Sequence, residues 1–444
     1  MSSTATRGPT GIGSTLWRLP GEAWAPLSSL ALIYAGHLAY GALVSDVALL
    51  LSIGAAIVVT IALVRPATRA DLLRLKGLAL PGVLFLAVLA VVAWSLTPFV
   101  PGGPHPIWSY VDAPGAAAVD RSAAIVEAVK LLGLACFFLA GAACGGRDDR
   151  ARFALQIAVL AGAIFAFWAI QAAALGTIHQ TQGHRLEAFF LNPNTAGTVM
   201  GALFVLAVAL LIREGRAGGR PARLYLPGAA ALVLGVALLN TASRGAVIGT
   251  LAGLAVLAVL LLATGTLRFT RAFAGLLGGL ALLALLTILA GDALLERLVR
   301  SEIDAPSRYA IWERHWPVFL DSPLLGYGLG GFEPINRSLL NESSFQALRN
   351  LRAPLNLYLQ WLLEGGLLAT IPMFLCVAAF IALTLRGLFR RSRMVVPLAG
   401  LIALDVVFVA HGFTDSSLQT PSVAAFWAWA LGLQVALSQG SSQR

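Results

Sequence analysis

The strongest constraint on this chain is its series of apolar blocks. Each runs about 17–23 residues with few charges, long enough for a helix to cross a hydrocarbon core about 30 Å thick. A membrane β-barrel would instead show alternating segments of about ten residues. The blocks fall near 26–43, 47–64, 77–96, 123–143, 153–175, 194–212, 225–240, 245–264, 272–291, 364–385, 395–411 and 422–437. The expected fold is an all-α polytopic membrane protein of about twelve transmembrane helices with one large periplasmic loop. The parts are a tail over 1–25, nine spans within 26–291, the loop over 292–354, three spans within 355–437 and a tail over 438–444. Charged residues make up 12% of the 444, roughly half the share in a soluble domain, which agrees with this class.

A net charge of +10 invites a nucleic-acid reading, but the positions argue otherwise. The linkers 65–76, 145–152, 213–223, 268–271 and 386–393 are all basic, and they are alternate connections. Together with both termini they hold 20 of the 31 Lys and Arg. Positive charge concentrates in short loops on the cytoplasmic side, so both termini are expected inside a bacterial inner membrane. The cations then report topology and contact with anionic lipid headgroups, with no nucleic-acid partner. No cleavable signal is evident in the polar first 24 residues. Cys136, Cys144 and Cys376 lie in or beside spans, so no disulfide framework is expected. Trp24, Trp94, Trp361, Trp427 and Trp429 fall near span ends, as an interfacial aromatic belt would place them.

Three outer segments stand out: 97–122, 176–193 with His179, His184 and Arg185, and about 292–354. In the last, 306–320 spaces Tyr309, Trp312, Trp316 and Phe319/Leu320 at helical steps, predicting an amphipathic helix at the membrane interface. Asp304 or Ser307 is its candidate cap. A second short helix is expected over 337–350, with a flexible glycine turn over 326–331 between the two. No strand precedes that turn, so a nucleotide loop is not expected.

Candidate chemistry centres on two outward-facing helix starts. The sixth span opens at Asn192-Pro193-Asn194 and the eighth at Ser243-Arg244-Gly245. A helix N-terminus offers unpaired N–H groups and about half a positive charge. Arg185 and Arg244 beside these starts suit a bidentate clamp on a pyrophosphate. The plainer alternative is that each Arg snorkels to headgroup phosphates while Asn or Ser caps its helix. Arg308 is a third candidate cation, or else a partner of Asp304 and Glu313. His315 is a candidate general base, or an interfacial packing residue. Glu364 opens the tenth span, where an acid is favourable with or without a chemical role. Glu127 and Lys130 are spaced to pair on one helix. Asp405 is expected as a hydrogen-bonded structural acid, or as one end of a proton path with His411. No outer segment carries metal-ligand spacing, so neither metal nor other cofactor is expected.

Four ordered pieces resemble the O-antigen ligase/polymerase superfamily of bacterial membrane glycan transferases. They are 185–194 (Arg185 to Asn194), 241–245 around Ser243-Arg244-Gly245, 308–312 with 322–328, and Asn356-Leu357-Tyr358-Leu359-Gln360 leading into Glu364-Gly365-Gly366. The resemblance covers about 185–370 and extends to the rest by topology. It implies an inverting, metal-independent transfer from a polyprenyl-pyrophosphate-linked glycan to a lipid or glycan acceptor at the periplasmic face. By position, Arg185 and Arg244 would hold the donor pyrophosphate and stabilise the leaving group. Arg308 would position donor or acceptor, with Asn192, Asn194, Ser243, Asn356 and Glu364 as further candidate binding residues. The family often has His immediately before the Asn of the fourth piece, and here that residue is Leu355. His315, His184 and Glu364 are the candidate replacements, unless pyrophosphate departure suffices without a base. A ligase, a polymerase, a member of altered activity, a lipid or sugar transporter and a non-catalytic scaffold all remain open at this stage.

Overall fold

The computed structural model describes residues 20–111, 113–178, 185–218, 221–268 and 304–440, the side chains of 304–307 excepted. Fifteen α-helices lie among the described residues. They are α1 (Trp24–Leu38), α2 (Ser45–Val64), α3 (Pro66–Leu73), α4 (Ala79–Ser95), α5 (Arg121–Gly145), α6 (Asp148–Ala174), α7 (Pro193–Arg216) and α8 (Ala222–Asn240). The chain continues with α9 (Arg244–Ala263), α10 (Asp304–Asp321), α11 (Phe332–Ser338), α12 (Phe345–Leu348), α13 (Leu357–Leu388), α14 (Val395–His411) and α15 (Pro421–Ser438). Eight of these, α2, α5, α6, α7, α8, α9, α13 and α15, are long and apolar enough to cross a membrane, and α4 and α14 are shorter apolar helices. The chain is a polytopic membrane protein. The expected span at 272–291, together with His179 and His184, lies outside the described residues.

The first expected span is shorter than its apolar block. Helix α1 has 15 residues, about 22 Å at 1.5 Å per residue, and a single 3-10 turn over Tyr40–Ala42 ends it. Gly41 makes that turn at φ 73°, and a Cβ there would lie 2.3 Å from Thr420 Cγ2. Close approach of the segment before α15 therefore cuts the helix short.

Helices α7 and α15 form the centre, with 78% and 83% of their apolar windows buried, against 22% for α13. Between helices surrounded by lipid, small residues that admit a neighbouring backbone drive packing. On α5, Gly141 and Gly145 stand four apart against Trp429 and Leu433 of α15, while Gly432 of α15 lies against Phe138 and Ala142 of α5. A Cβ on Gly141 would lie 1.9 Å from the Trp429 carbonyl oxygen, so the two backbones touch. The same spacing recurs on α7 (Gly197, Gly201) and α9 (Gly245, Gly249, Gly253). Gly197 and Gly201 receive Ala246 and Thr250 of α9, while Gly245, Gly249 and Gly253 receive His411, Val407 and Ala403 of α14. These two ladders fix the register of α7, α9 and α14, and hence which residues meet at their ends.

The basic linkers gather at one end of the bundle. Arg150, fully buried, pairs with Asp71, and Arg391 with Asp148. Arg213 pairs with Glu214, Arg65 with Glu22, and the Lys76 N–H donates to Gln439 Oε1. Chain segments near both termini thus share this end. The opposite end carries 185–192, 241–243, the long loop and 412–420.

The long loop is sewn to α13. That helix breaks at Gly366 (φ 56°, ψ −170°), a backbone conformation that L side chains avoid. The groups freed by the break pair with the loop: Leu367 N–H donates to Pro323 O, Leu368 N–H to Leu324 O, and Tyr327 N–H to Leu363 O. The glycine turn expected to be flexible is therefore pinned, and Val119 N–H also donates to Tyr327 O. Helix α10 covers the expected 306–320, but its aromatics divide between two faces. Ile311, His315 and Phe319 turn inward with half-buried Trp312, whose Nε1 donates to Pro354 O, whereas Tyr309, Trp316 and Leu320 are exposed. In place of one helix over 337–350 there are two short ones, α11 and α12. Asn341 and Ser344 bond each other and turn the chain between them. The aromatic-belt expectation fails at Trp429, which is fully buried and donates to Ser29, and at Trp427, which donates to Asp405. All three cysteines are free thiols, two buried and Cys136 half-buried.

Candidate active site

Of the helices that start at the end opposite the basic linkers, three start alike. Asn192 caps α7 by accepting from Asn194 N–H, Ser243 caps α9 by accepting from Ala246 N–H, and Asn356 caps α13 by accepting from Tyr358 and Leu359 N–H. Before each cap stands a non-glycine residue in the left-handed region: Leu191 at φ 57°, Ala242 at 48° and Leu355 at 53°. Such residues cost about 1–3 kcal/mol each and persist where surrounding structure over-determines them.

Arg185 bridges the first two starts. Its Nε donates to the Thr241 carbonyl at 2.9 Å and its Nη2 to Asn194 Oδ1 at 3.1 Å. The chain beside it is held by Leu186 N–H donating to Asn240 O at the end of α8. One guanidinium thus spans from the loop before α9 to the first turn of α7. Arg244 occupies the first position of α9, half-buried, one residue from Gly245. The glycine ladders account for this closeness, since Gly197 lies against Thr241, Ser243 and Ala246.

The segment at the end of α14 joins the remaining pieces. His411 Nδ1 lies 2.6 Å from Thr198 Oγ1 on α7, and the ring edge with Nε2 rests on Gly245 of α9. Asp415 and Arg308 are the charges that act on His411, which brings Arg308 of α10 into the same neighbourhood. Leu357 N–H at the start of α13 donates to Gly412 O. Beyond His411, Thr198 Oγ1 is 2.9 Å from Ser417 Oγ, and Ser417 donates to Asp415 Oδ2. Sequence reasoning gave no role to 412–420 and named His411 only in the alternative to a structural Asp405, as the other end of a proton path. Here Asp405 faces α15, accepting from Trp427 Nε1 and Gln434 Nε2 at 2.8 Å each, as a structural acid. His411 lies six residues on and faces α7 and α9. The α9 glycine spacing, read against Ala403, Val407 and His411 at the same step, was the available signal.

Two other expected site residues sit elsewhere. His315 is fully buried, its Nδ1 donating to Ile311 O at 2.8 Å and its ring stacked on Phe332 at 5.0 Å. Burial pushes its pKa below the usual histidine value. This imidazole is enclosed between α10 and α11. Glu364 anchors the loop: its Oε1 accepts from Gln360 Nε2 at 3.2 Å and from Phe332 N–H at 3.4 Å.

A second feature is an apolar slot of about 370 Å³ between α2, α4, α5, α13 and α15. It runs from Leu357 and Gln419, beside the helix starts, down past Trp361, Phe138 and Phe380 to Pro81 of α4. Its wall includes Glu127 and Lys130, paired at 2.5 Å as their spacing predicts. Among the described residues no group of three His, Cys, Asp or Glu is placed to hold a metal ion.

No curated protein matches the chain. Residues 228–374 match the Wzy_C family model, described as O-antigen ligase, a stretch that holds Ser243, Arg244, Arg308, His315, Asn356 and Glu364 but leaves out Arg185 and His411. This multi-span membrane protein is therefore similar to the O-antigen ligase family over 228–374.

Proposed function

We propose that the protein transfers a glycan from a polyprenyl-pyrophosphate donor to a lipid or glycan acceptor, at the periplasmic face of a bacterial inner membrane. In this reading it has about twelve spans, with the basic end cytoplasmic. The carrying observation is Arg185 bridging the starts of α7 and α9 with Arg244 on the next turn. Two guanidinium groups and two helix N-termini form a pre-organised diphosphate cradle. As the bond from the sugar to phosphate breaks, negative charge builds on the leaving diphosphate, and donors already aimed there lower the barrier without reorganising. Arg308 adds positive charge from the loop side, and Asn192, Ser243 and Asn356 hold the helix starts in place. The apolar slot begins at Leu357 and Gln419, at the foot of this cradle, and suits the hydrocarbon tail of a lipid-linked donor. The reading needs no metal.

The test uses purified protein in proteoliposomes with undecaprenyl-pyrophosphate-linked glycans extracted from cells lacking it, and the membrane lipids of those cells as acceptor. Release of undecaprenyl pyrophosphate with a heavier glycolipid supports the reading, and no release overturns it. Product size separates a single attachment from chain growth, and so ligase from polymerase. A transporter would instead move the donor between leaflets without cleaving it.

A further inference from the structure

Leu355 cannot take a proton, yet the proposed transfer removes one from the acceptor hydroxyl. Resting on that reading, we propose that His411 receives this proton, oriented by a relay through Thr198 and Ser417 to Asp415. The glycine ladder of α9 sets the ring's place: with no Cβ at Gly245, the edge bearing Nε2 reaches the first turn of α9, one residue from Arg244.

The hydrogen-bond pattern is consistent with the proton on Nδ1. Ser417 gives its only hydroxyl proton to the Asp415 carboxylate. Its 2.9 Å contact with Thr198 then draws on the Thr198 proton, which Oγ1 also directs at the Asn194 carbonyl at 3.0 Å. Thr198 in turn accepts from His411 Nδ1–H at 2.6 Å. With the Thr198 proton shared between Asn194 O and Ser417 Oγ, Nδ1 is the donor to Thr198, and the Nε2 lone pair of this nearly buried ring faces the first turn of α9 at Gly245. Asp415 is 1% exposed, and its second oxygen, Oδ1, is buried with no hydrogen-bond partner among the described residues. A buried carboxylate left half-satisfied is costly and resembles a group held for work on its neighbours more than a packing element.

In the reaction, the acceptor O–H proton passes to Nε2 while its oxygen bonds to the anomeric carbon. The bond from that carbon to the phosphate oxygen breaks, and the electron pair leaves on polyprenyl pyrophosphate, held by Arg185 and Arg244. The new imidazolium is stabilised through Nδ1–H by the chain ending on Asp415.

The experiment compares full-length variants in the proteoliposome assay above, with binding of undecaprenyl pyrophosphate measured separately. His411→Asn keeps a group near the Nδ1 position and deletes Nε2. It should bind undecaprenyl pyrophosphate like wild type while turnover falls about 100-fold or more. Thr198→Val is isosteric and cuts the relay, and should lower kcat about tenfold with KM unchanged, whereas Thr198→Ser should recover most of that loss. An active wild type whose His411→Asn variant turns over within threefold overturns the inference and leaves the transferase reading standing. If His411→Asn does not fold, equal kcat in Thr198→Val and Thr198→Ser overturns it instead. A wild type that releases nothing overturns both.

Discussion

The two ends of this bundle use arginine in opposite ways. At the basic end Arg150 and Arg391 are buried and spend their charge on Asp71 and Asp148, tying linkers to one another. At the other end the bonds by which Arg185 spans α7 and α9 end on neutral oxygens, a carbonyl and an amide. Those contacts position the guanidinium without cancelling its charge. One end invests cations in holding the fold; at the other, in the function proposed above, they hold an anion. Residue type and membrane depth do not separate these roles, but the acceptor chemistry does.

The comparison breaks most visibly if the basic end proves dispensable. Arg150→Ala strands Asp71 in a buried setting and should cost about 3–5 kcal/mol of stability, read as a lowered Tm in detergent. Next, Arg185→Ala should leave Tm nearly unchanged and lower turnover about 100- to 1000-fold, read in the proteoliposome assay. Equal Tm losses in the two variants would erase the distinction. Arg185→Lys keeps charge but loses the fork that spans two acceptors, and should recover only a small part of the rate. Ser243→Ala removes the cap of α9 and should cost about 1 kcal/mol of stability, with a smaller effect on rate than Arg185→Ala. Smallest is a pH effect at His315. Its folded pKa is depressed, so its contribution is complete above about pH 6.5 and is lost as pH falls through the folded value. His315→Gln should flatten that part of the stability curve in thermal melts from pH 7 to 5.

Much of the fold was legible because apolar block length is a physical necessity in a bilayer: α2, α5, α7, α9, α14 and α15 fall close to their expected ranges. The exceptions had tertiary causes. Helix α1 stops early because Thr420 crowds Gly41, and α13 starts at Leu357, ahead of its apolar block, because Asn356 caps it. In the site, the starts of α7 and α9 could be read from cap residues and arginines. The 411–417 segment could not, because its proposed role rests on three helices in register, and a His, an Asp and three hydroxyls at the end of an apolar run look ordinary alone. The burial of His315 was unreadable for the complementary reason: helical spacing put it beside tryptophans, but did not say on which side of α10 it would point.

The break in α13 at Gly366 carries a consequence for how substrates reach the cradle. Because the freed backbone groups of that helix are hydrogen-bonded to 323–327, that loop segment and the wall of the apolar slot are parts of one continuous piece. A tail seating itself in the slot would press on the same joint that carries that segment, so occupancy of the slot could be felt in the loop through covalent and hydrogen-bonded continuity alone.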